Sequence, residues 1–220
     1  MRIAPLSKKS LKYNQFSHLF TGKPSADQGH NPRLHLTLSP GFATAPANPL
    51  SLPCATGHES PLSGEQPADL AVRLALSKAR SLAPNHPDAL IIGSDQVASV
   101  DGRIMGKPGT HAEALAQLRA SSGREVQFHT AIALACTDRQ FEWFHVELTI
   151  AHFRVLSEQA MDSYLRREQP YDCAGSFKWE GLGIALFESL QGDDPTSLEG
   201  LPLIALTGLL ARAGVNILEP

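Results

Sequence analysis

The sequence LIIGSDQVASVDGRIMGKP, from Leu90 to Pro108, contains the strongest structural signal in this chain of 220 residues. Its apolar beginning is typical of a short buried strand, and the glycine-rich end is typical of a turn or hairpin tip. Asp95 and Gln96 interrupt the apolar run abruptly. Because ligands bind beyond the carboxyl ends of strands in open α/β sheets, we predict that this carboxylate and this amide end the strand and face a cleft.

The segment before this strand predicts an amphipathic helix. In SGEQPADLAVRLALSKARSLAP, Ser63 and Gln66 have the spacing of a capping box, and Pro67 suits the first helical turn. Lys78 falls on the inward stripe, between Leu74 and Leu82. A lysine in this position either runs its stem along the edge of the core or directs its ammonium group into a cleft.

The segments after Pro108 predict the rest of a mixed sheet flanked by helices. Thr110 and Glu113 form a capping box that begins a helix, and Ser157 caps another that runs to about Glu168. Alternating apolar residues from 126 to 134 predict a half-buried strand, and FEWFHVELTIAHFRVL predicts its antiparallel partner. A further strand in IALFESLQG and a closing helix in LPLIALTGLLARAG complete an α/β fold.

Composition excludes several classes of protein. A net charge of −3 argues against a general nucleic-acid binder. No run approaches the roughly 18 apolar residues of a membrane span, and the N-terminus lacks a secretory signal, so we expect a cytoplasmic protein without membrane partners. Nine histidines show no metal-ligand spacing. The three cysteines, Cys54, Cys136 and Cys173, are far apart and are expected to be reduced thiols.

The first 58 residues differ in amino-acid composition from the rest of the chain. Asp27 is their only acidic residue, and they are rich in serine, proline and glycine. We therefore expect residues 1–33 to be disordered or a non-native extension, and residues 34–220 to form one α/β domain. A shifted reading frame would produce a similar amino-acid composition.

The side chains suited to chemistry are carboxylates and lysines. They are Glu59, Asp95, Asp101, Glu180, Lys78, Lys107 and Lys178. Hydrolysis of a nucleoside triphosphate needs oxygen ligands for Mg²⁺, cations for the phosphate charge and a carboxylate for water, so this set suits a phosphate ester better than a peptide or a sugar. Asp95 would act as base or metal ligand and Lys107 as phosphate clamp. Alternatively, Asp95 caps a turn and Gly-Lys-Pro is a solvated turn.

Other nucleotide and hydrolase signatures do not fit. Gly106-Lys107 is not a P-loop, because Pro108 replaces the required Ser or Thr and Asp101 occupies the place of the first glycine. The chain has no G-x-S-x-G elbow for a catalytic serine. A glycosidase with two carboxylates is an alternative by spacing, but it leaves the lysines without a role.

Five motifs in order resemble the Maf family of nucleoside triphosphate pyrophosphatases. They are PADLAVRLALSKA, IIGSDQV, GKP, CAGSFKWEGLGI and GDDPTSLEGLPL, and the similarity covers Glu59 to about Leu218. The resemblance implies a fold similar to inosine triphosphate pyrophosphatases, with a mixed twisted sheet and a central cleft. It also implies hydrolysis between the α and β phosphates, with a divalent cation, Mg²⁺ or Mn²⁺, as cofactor. A homodimer is compatible with this family type, although the sequence shows no interface signature.

The resemblance assigns roles to individual residues. Asp95 of the SDQ motif would be the proton acceptor, and Lys78 and Lys107 would meet the phosphates. Glu59 matches the glutamate of an Asp-Glu pair, with His58 in place of the aspartate. Glu59 and Asp95 would therefore hold the metal.

Two positions resemble the 7-methyl-GTP branch of the family. The branch that acts on dTTP and UTP usually carries Thr and Gln where this chain has Gln96 and Glu180. A carboxylate can accept hydrogen bonds from both N1–H and the exocyclic amine of guanine, and N7-methylation makes the base cationic. The resemblance therefore implies that Glu180 reads the base, supported by Gln96.

The N-terminal signature departs from the family pattern S-x-S-P-x-R-R. Ser39 and Pro40 are present, but Gly41 and Phe42 follow, and no arginine occurs between Phe42 and Arg73. Ser39 and Gly41 would contact the substrate, whereas the two phosphate-binding arginines are missing. Two alternatives follow: a pyrimidine-directed enzyme with a pocket altered at Gly41, or a catalytically impaired nucleotide-binding or division-linked regulatory protein.

Overall fold

The fold is seen in a computed structural model that describes residues 59–218 and the backbone of residues 34–37. The predicted extension, residues 1–33, and the signature residues Ser39 and Gly41 lie outside the described part of the chain. None of the described helices is long and apolar enough to cross a membrane.

The described part of the chain contains six strands and four α-helices. The strands are β1 (Leu34–Thr37), β2 (Leu90–Val100), β3 (Arg103–Met105), β4 (Glu125–Cys136), β5 (Phe141–Phe153) and β6 (Phe187–Gln191). The helices are α1 (Pro67–Leu82), α2 (His111–Ser121), α3 (Glu158–Glu168) and α4 (Leu203–Arg212). Each predicted helix and strand is present, and the fold is the expected mixed α/β sheet, but β3 lies within the segment predicted as a turn or hairpin tip.

The strands form one sheet in the order β1-β2-β4-β5-β6, and β3 pairs with β2. Only the β1–β2 pair is parallel among the described strands, with Leu34 opposite Leu90 and Thr37 opposite Gly93. Strand β4 pairs with β2 along residues 91–100, so β1 and β3 must share the other edge of β2. Because β1 pairs with residues 90–93 and β3 with residues 98–100, no described strand covers residues 94–97 on that edge.

The prediction that Asp95 and Gln96 end their strand is wrong. Strand β2 does not end near Val97 but continues to Val100, so the two polar residues lie in its middle. The strand continues because its second half pairs with β3 and β4. Asp95 instead lies beyond the carboxyl end of the neighbouring parallel strand β1, which stops opposite Gly93.

The two faces of the sheet are covered differently. Helix α1 covers one face and packs its Leu70, Leu74 and Leu82 against β2 and β4. The opposite face carries two separate hydrophobic clusters, one with α2 and α3 and the other with α4. Strand β4 is therefore buried on both faces rather than half-buried, since Ala131 and Ala133 face α1 while Phe128 and Ile132 face the other side.

The helix termini confirm two of the three predicted caps. Thr110 Oγ1 accepts a hydrogen bond from the Glu113 backbone N–H at 3.2 Å, and Ser157 Oγ accepts one from Ala160. The predicted Ser63 capping box is wrong, because α1 begins at Pro67 with Gln66 as N-cap and no side-chain cap. Proline at the first position has no N–H, so this terminus has one fewer donor to satisfy.

Gly93 sets the distance between α1 and the sheet. A Cβ atom at this position would lie 2.1 Å from the Ala75 carbonyl oxygen and 2.8 Å from the Ala79 nitrogen. We expect Gly93→Ala to lower the free energy of unfolding by at least about 2 kcal/mol, because the backbone of α1 must move. Urea denaturation measures this loss.

Gly208→Ala is the matched control, because Gly208 lies in α4 and a Cβ there would meet no atom within 4 Å. We expect it to raise stability by about 0.5–1 kcal/mol. Equal effects of the two substitutions would contradict the close approach of α1 to Gly93.

Candidate active site

A buried ion pair joins helix α1 to residues 94–97 of β2, which pair with neither β1 nor β3. Lys78 is 2% exposed and the Asp95 side chain is 11% exposed. The Lys78 ammonium group donates one hydrogen bond to Asp95 Oδ1 and another to the Ser94 carbonyl oxygen at 3.1 Å. The inward phase of Lys78 is therefore confirmed, and its ammonium reaches a carboxylate rather than solvent. The structure thus brings two of the predicted site residues together.

Gln96 points to the opposite face of the sheet from Asp95, as alternation along a strand requires. Its Nε2 donates to Thr130 Oγ1 and to the Ser197 carbonyl oxygen, both at 2.9 Å. Because a carbonyl oxygen only accepts, this contact fixes which end of the Gln96 amide is nitrogen. Both amide protons are used, so the remaining capacity of this side chain is as an acceptor at Oε1.

Gln96 belongs to a row of polar side chains that separates the two hydrophobic clusters on its face. We call this row the polar belt, and its members are Ser94, Gln96, Thr130, His145, Glu147 and Thr149. Gln96 pairs with Thr130 across β2 and β4, and Thr130 pairs with Glu147 across β4 and β5. A continuous polar track therefore crosses the centre of the sheet.

The loop from Gly192 to Gly200 binds along the polar belt. Ser94 Oγ donates to the Gly200 carbonyl at 2.6 Å, Thr130 Oγ1 donates to the Ser197 carbonyl, and Glu147 Oε1 accepts from the Asp193 N–H. This loop contains most of the GDDPTSLEGLPL motif. The belt therefore satisfies backbone groups that would otherwise be buried without partners.

Buried Asp194 organises the same loop internally. Its Oδ1 accepts hydrogen bonds from the N–H and the hydroxyl of Thr196, and its Oδ2 accepts from the Ile204 N–H in the first turn of α4. A carboxylate at a helix N-terminus also interacts favourably with the helix dipole. Asp194 thus connects the loop to α4.

The remaining predicted residues lie on exposed loops. Lys107 follows β3 by two residues, is exposed, and makes no hydrogen bond or ion pair with any described residue. Glu180 is exposed on the loop between α3 and β6. In that loop Lys178 Nζ donates to the Glu168 carbonyl at 2.8 Å, so its charge binds the end of α3.

Glu59 is exposed at the start of the described segment, and no hydrogen bond or ion pair between described residues joins it to Asp95. Within residues 59–218, no three His, Cys, Asp or Glu side chains are close enough to hold a metal ion. A metal held by several protein ligands is therefore not built into this part of the chain.

Cysteine chemistry is disfavoured in the described part of the chain. Burial raises the pKa of the Cys173 thiol to about 12, and nearby Asp172 acts in the same direction. Cys136 is buried, and neither thiol forms a disulfide. Because the thiolate is the nucleophile, a protonated Cys173 is unsuited to covalent catalysis.

Sequence reasoning missed the residues that hold the loops. Thr130 stands among apolar residues in an alternating strand pattern, and no sequence pattern predicts a role for Ser197 or Asp194. The signal available for Thr130 was a hydroxyl in an otherwise apolar buried series. The contact between Gln96 and Ser197 spans 101 residues of sequence and has no local signal.

Comparison with known proteins places these motifs in a family. The family profile described as Maf-like protein matches residues 43–213. The chain belongs to the Maf family. The match contains Lys78, Asp95, Gln96, Lys107 and Glu180, and it begins after Gly41.

Maf relatives with high similarity share one name, 7-methyl-GTP pyrophosphatase. The protein from Bordetella avium (strain 197N) is 50% identical over 193 residues, which cover 86% of this chain and 97% of the relative. The protein from Polaromonas sp. (strain JS666) is 55% identical over 159 residues, covering 72% and 73%. The protein from Nitrosococcus oceani is 55% identical over 160 residues, covering 73% and 80%.

The pairing of Lys78 with Asp95 predicts strong coupling in stability. We expect Lys78→Met and Asp95→Asn each to lower the free energy of unfolding by about 3–5 kcal/mol, because each leaves one buried half of the pair. The double variant should recover most of this loss, since both charges are then removed. Urea denaturation of the four proteins measures the coupling energy, and strictly additive losses would contradict a direct interaction.

Proposed function

We propose that this Maf protein hydrolyses 7-methyl-GTP, or a closely related modified purine nucleotide, to the nucleoside monophosphate and pyrophosphate. The observation that carries the proposal is the buried Lys78–Asp95 pair, which lies on the segment of β2 that pairs with neither β1 nor β3. The shared name of relatives that are about half identical to this chain supports the substrate.

Asp95 is the proposed proton acceptor. Its carboxylate belongs to the segment of β2 that pairs with neither β1 nor β3, and this edge of the sheet is the proposed side of phosphate approach. The adjacent Lys78 ammonium holds the carboxylate in one orientation. A carboxylate held in this way accepts a proton from the attacking water, while the ammonium offsets charge on the phosphates.

Lys107 is the proposed phosphate clamp. It stands on the turn that follows β3, at the far side of the uncovered segment from β1. It has no ion-pair partner among the described residues, and a free ammonium attracts a pyrophosphate leaving group. Ser39 and Gly41, which follow β1 in sequence, are the proposed substrate contacts on the other side.

A divalent cation is the proposed cofactor. Mg²⁺ in nucleotide enzymes is usually held by one or two carboxylates together with substrate phosphates and waters. Asp95 and Glu59 fit this requirement, which needs no preformed cluster of protein ligands. When bound, the cation would supply Lewis-acid polarisation of the phosphates.

Glu180 and Gln96 are the proposed base-reading residues. An exposed carboxylate on a loop can accept from two adjacent N–H donors of guanine. The Gln96 side chain is oriented by Thr130 and Ser197, which leaves its oxygen as an acceptor. The negative charge of Glu180 favours the cationic 7-methylguanine base over neutral guanine.

A second candidate is a nucleotide-binding protein without turnover. It is favoured by the absence of any arginine between Arg33 and Arg73, where the family signature carries two. Such a protein would gain thermal stability from nucleotide without releasing product.

The first test is pyrophosphate release with Mg²⁺ from 7-methyl-GTP, GTP, UTP and dTTP. We expect the highest kcat/KM for 7-methyl-GTP, and loss of turnover in the Lys78→Met/Asp95→Asn double variant, whose two charges are removed together. In ¹⁸O-labelled water, the label should enter the monophosphate or the pyrophosphate but never orthophosphate. Thermal stabilisation by 7-methyl-GTP without pyrophosphate release would instead support the binding protein.

The second test concerns base selectivity. We expect Glu180→Gln to lower kcat/KM for 7-methyl-GTP by about 10–100-fold, because the charge-assisted bonds to the base are lost. The rate with UTP should change much less. Glu188→Gln is a matched control, since Glu188 is also exposed but lies on β6. An equal loss with 7-methyl-GTP and UTP would contradict the assignment of Glu180 to the base.

A further inference from the structure

Two loops that carry proposed substrate-binding residues meet beside helix α2. One is the turn Gly106–Gly109, which carries Lys107, and the other is the loop of residues 170–181, which carries Glu180. The Gly109 N–H donates to the Tyr171 carbonyl oxygen at 2.9 Å. The loops are therefore in direct backbone contact at one end.

Gln117 of α2 connects the two loops through its side-chain amide. Nε2 donates to the Gly106 carbonyl oxygen at 2.9 Å, and Oε1 accepts from the Ser176 hydroxyl at 2.5 Å. Because the Gly106 oxygen only accepts, the amide nitrogen must face it and the amide oxygen must face Ser176. No other side chain in residues 59–218 forms hydrogen bonds to both loops.

The loop end of this connection is rigidly held against the sheet. Ser176 is fully buried and has a positive φ of 60°. The neighbouring Gly175 has a φ of 72°, and a Cβ there would lie 3.5 Å from Ala98 and 3.6 Å from Phe128. Residue 175 is therefore packed on β2 and β4, and this packing fixes the position of the loop relative to the sheet.

In the turn, Pro108 is buried and the Gly109 N–H is bonded to Tyr171, whereas Gly106 and Lys107 have few other constraints. Lys107 is exposed, and Gly106 has open space around its Cα. The Gly106 carbonyl is held by Gln117, four residues before the end of α2. Besides the backbone bond between Gly109 and Tyr171, the Gln117 amide is therefore the side-chain connection that sets the position of the Lys107 turn relative to the Glu180 loop.

We propose that Gln117 is a positioning residue that couples phosphate binding by Lys107 to base reading by Glu180. This inference rests on the proposed function, because it assigns Lys107 and Glu180 to the two ends of one nucleotide. Two binding elements act on a linked ligand with an effective concentration set by their relative geometry. Gln117 sets that geometry without touching the substrate.

The variant that tests the coupling is Gln117→Met, which keeps the length and helix propensity of the side chain but removes both hydrogen bonds. We expect kcat/KM for 7-methyl-GTP to fall by about 10–100-fold, because the two ends of the nucleotide are no longer aligned. Inhibition by tripolyphosphate and by 7-methylguanosine, which represent each end alone, should change by less than about twofold.

The comparison of turnover with inhibition by the two fragments distinguishes a positioning role of Gln117 from a general loss of structure. A loss that extends equally to tripolyphosphate and 7-methylguanosine would overturn the proposal, as would unchanged turnover of 7-methyl-GTP. Arg119→Ala is the matched control, since Arg119 lies on the same helix and pairs with Glu158 of α3. It should leave kcat/KM within about twofold, as expected for an exposed ion pair. Should Gln117→Met fail to fold, Ser176→Ala removes one of the two bonds and should show the same pattern to a smaller extent.

Hydrogen exchange tests the connection without any substrate. In Gln117→Met, amides of residues 106–109 should exchange faster than in the wild type, and those of residues 125–136 in β4 should be unchanged. Unchanged exchange in the turn would overturn the proposal even if the wild type is active. Faster exchange in a protein that does not hydrolyse 7-methyl-GTP would instead show that the proposed function has failed while the connection stands.

Discussion

Helix α1 lies so close to β2 that no side chain fits at Gly93, where an added Cβ would lie 2.1 Å from the Ala75 carbonyl oxygen. This close contact between the two backbones determines which residues of β2 the side chains of the next helical turn can contact. Lys78 follows Ala75 by three residues, so its ammonium group meets Ser94 and Asp95 just beyond Gly93. The helix packing and the candidate catalytic pair are thus consequences of one contact.

The opposite face of the sheet depends on the polar belt. It divides the hydrophobic interior into two clusters and provides partners for the loop Gly192–Gly200. Satisfied hydrogen bonds stabilise a polar track through an interior. Gln96, Thr130 and Ser197 form a mutually bonded set, whereas the buried Thr149 hydroxyl has no hydrogen-bond partner among the described residues. The same bonds that hold the loop also fix the orientation of the Gln96 amide.

Local patterns were sufficient for most helices and strands, because hydrophobic periodicity and capping residues lie within a few positions of one another. Thr110 and Ser157 were recognised as caps in this way. The same reasoning placed Asp95 at a strand end and missed the continuation to Val100, since pairing with β3 and β4 overrides a local polar interruption. It also accepted Ser63 as a cap, although Pro67 begins the helix.

By itself, the sequence determined the α/β class, the family motifs and the inward phase of Lys78, because each is encoded by spacing along a short stretch. Only the tertiary structure decided that Asp95 and Gln96 lie on opposite faces, that residues 94–97 pair with neither β1 nor β3, and that Gln117 joins two loops. These features depend on strand order and on contacts between distant residues, such as the 59 positions between Gln117 and Ser176. Chain folding creates such proximities, and no local periodicity records them.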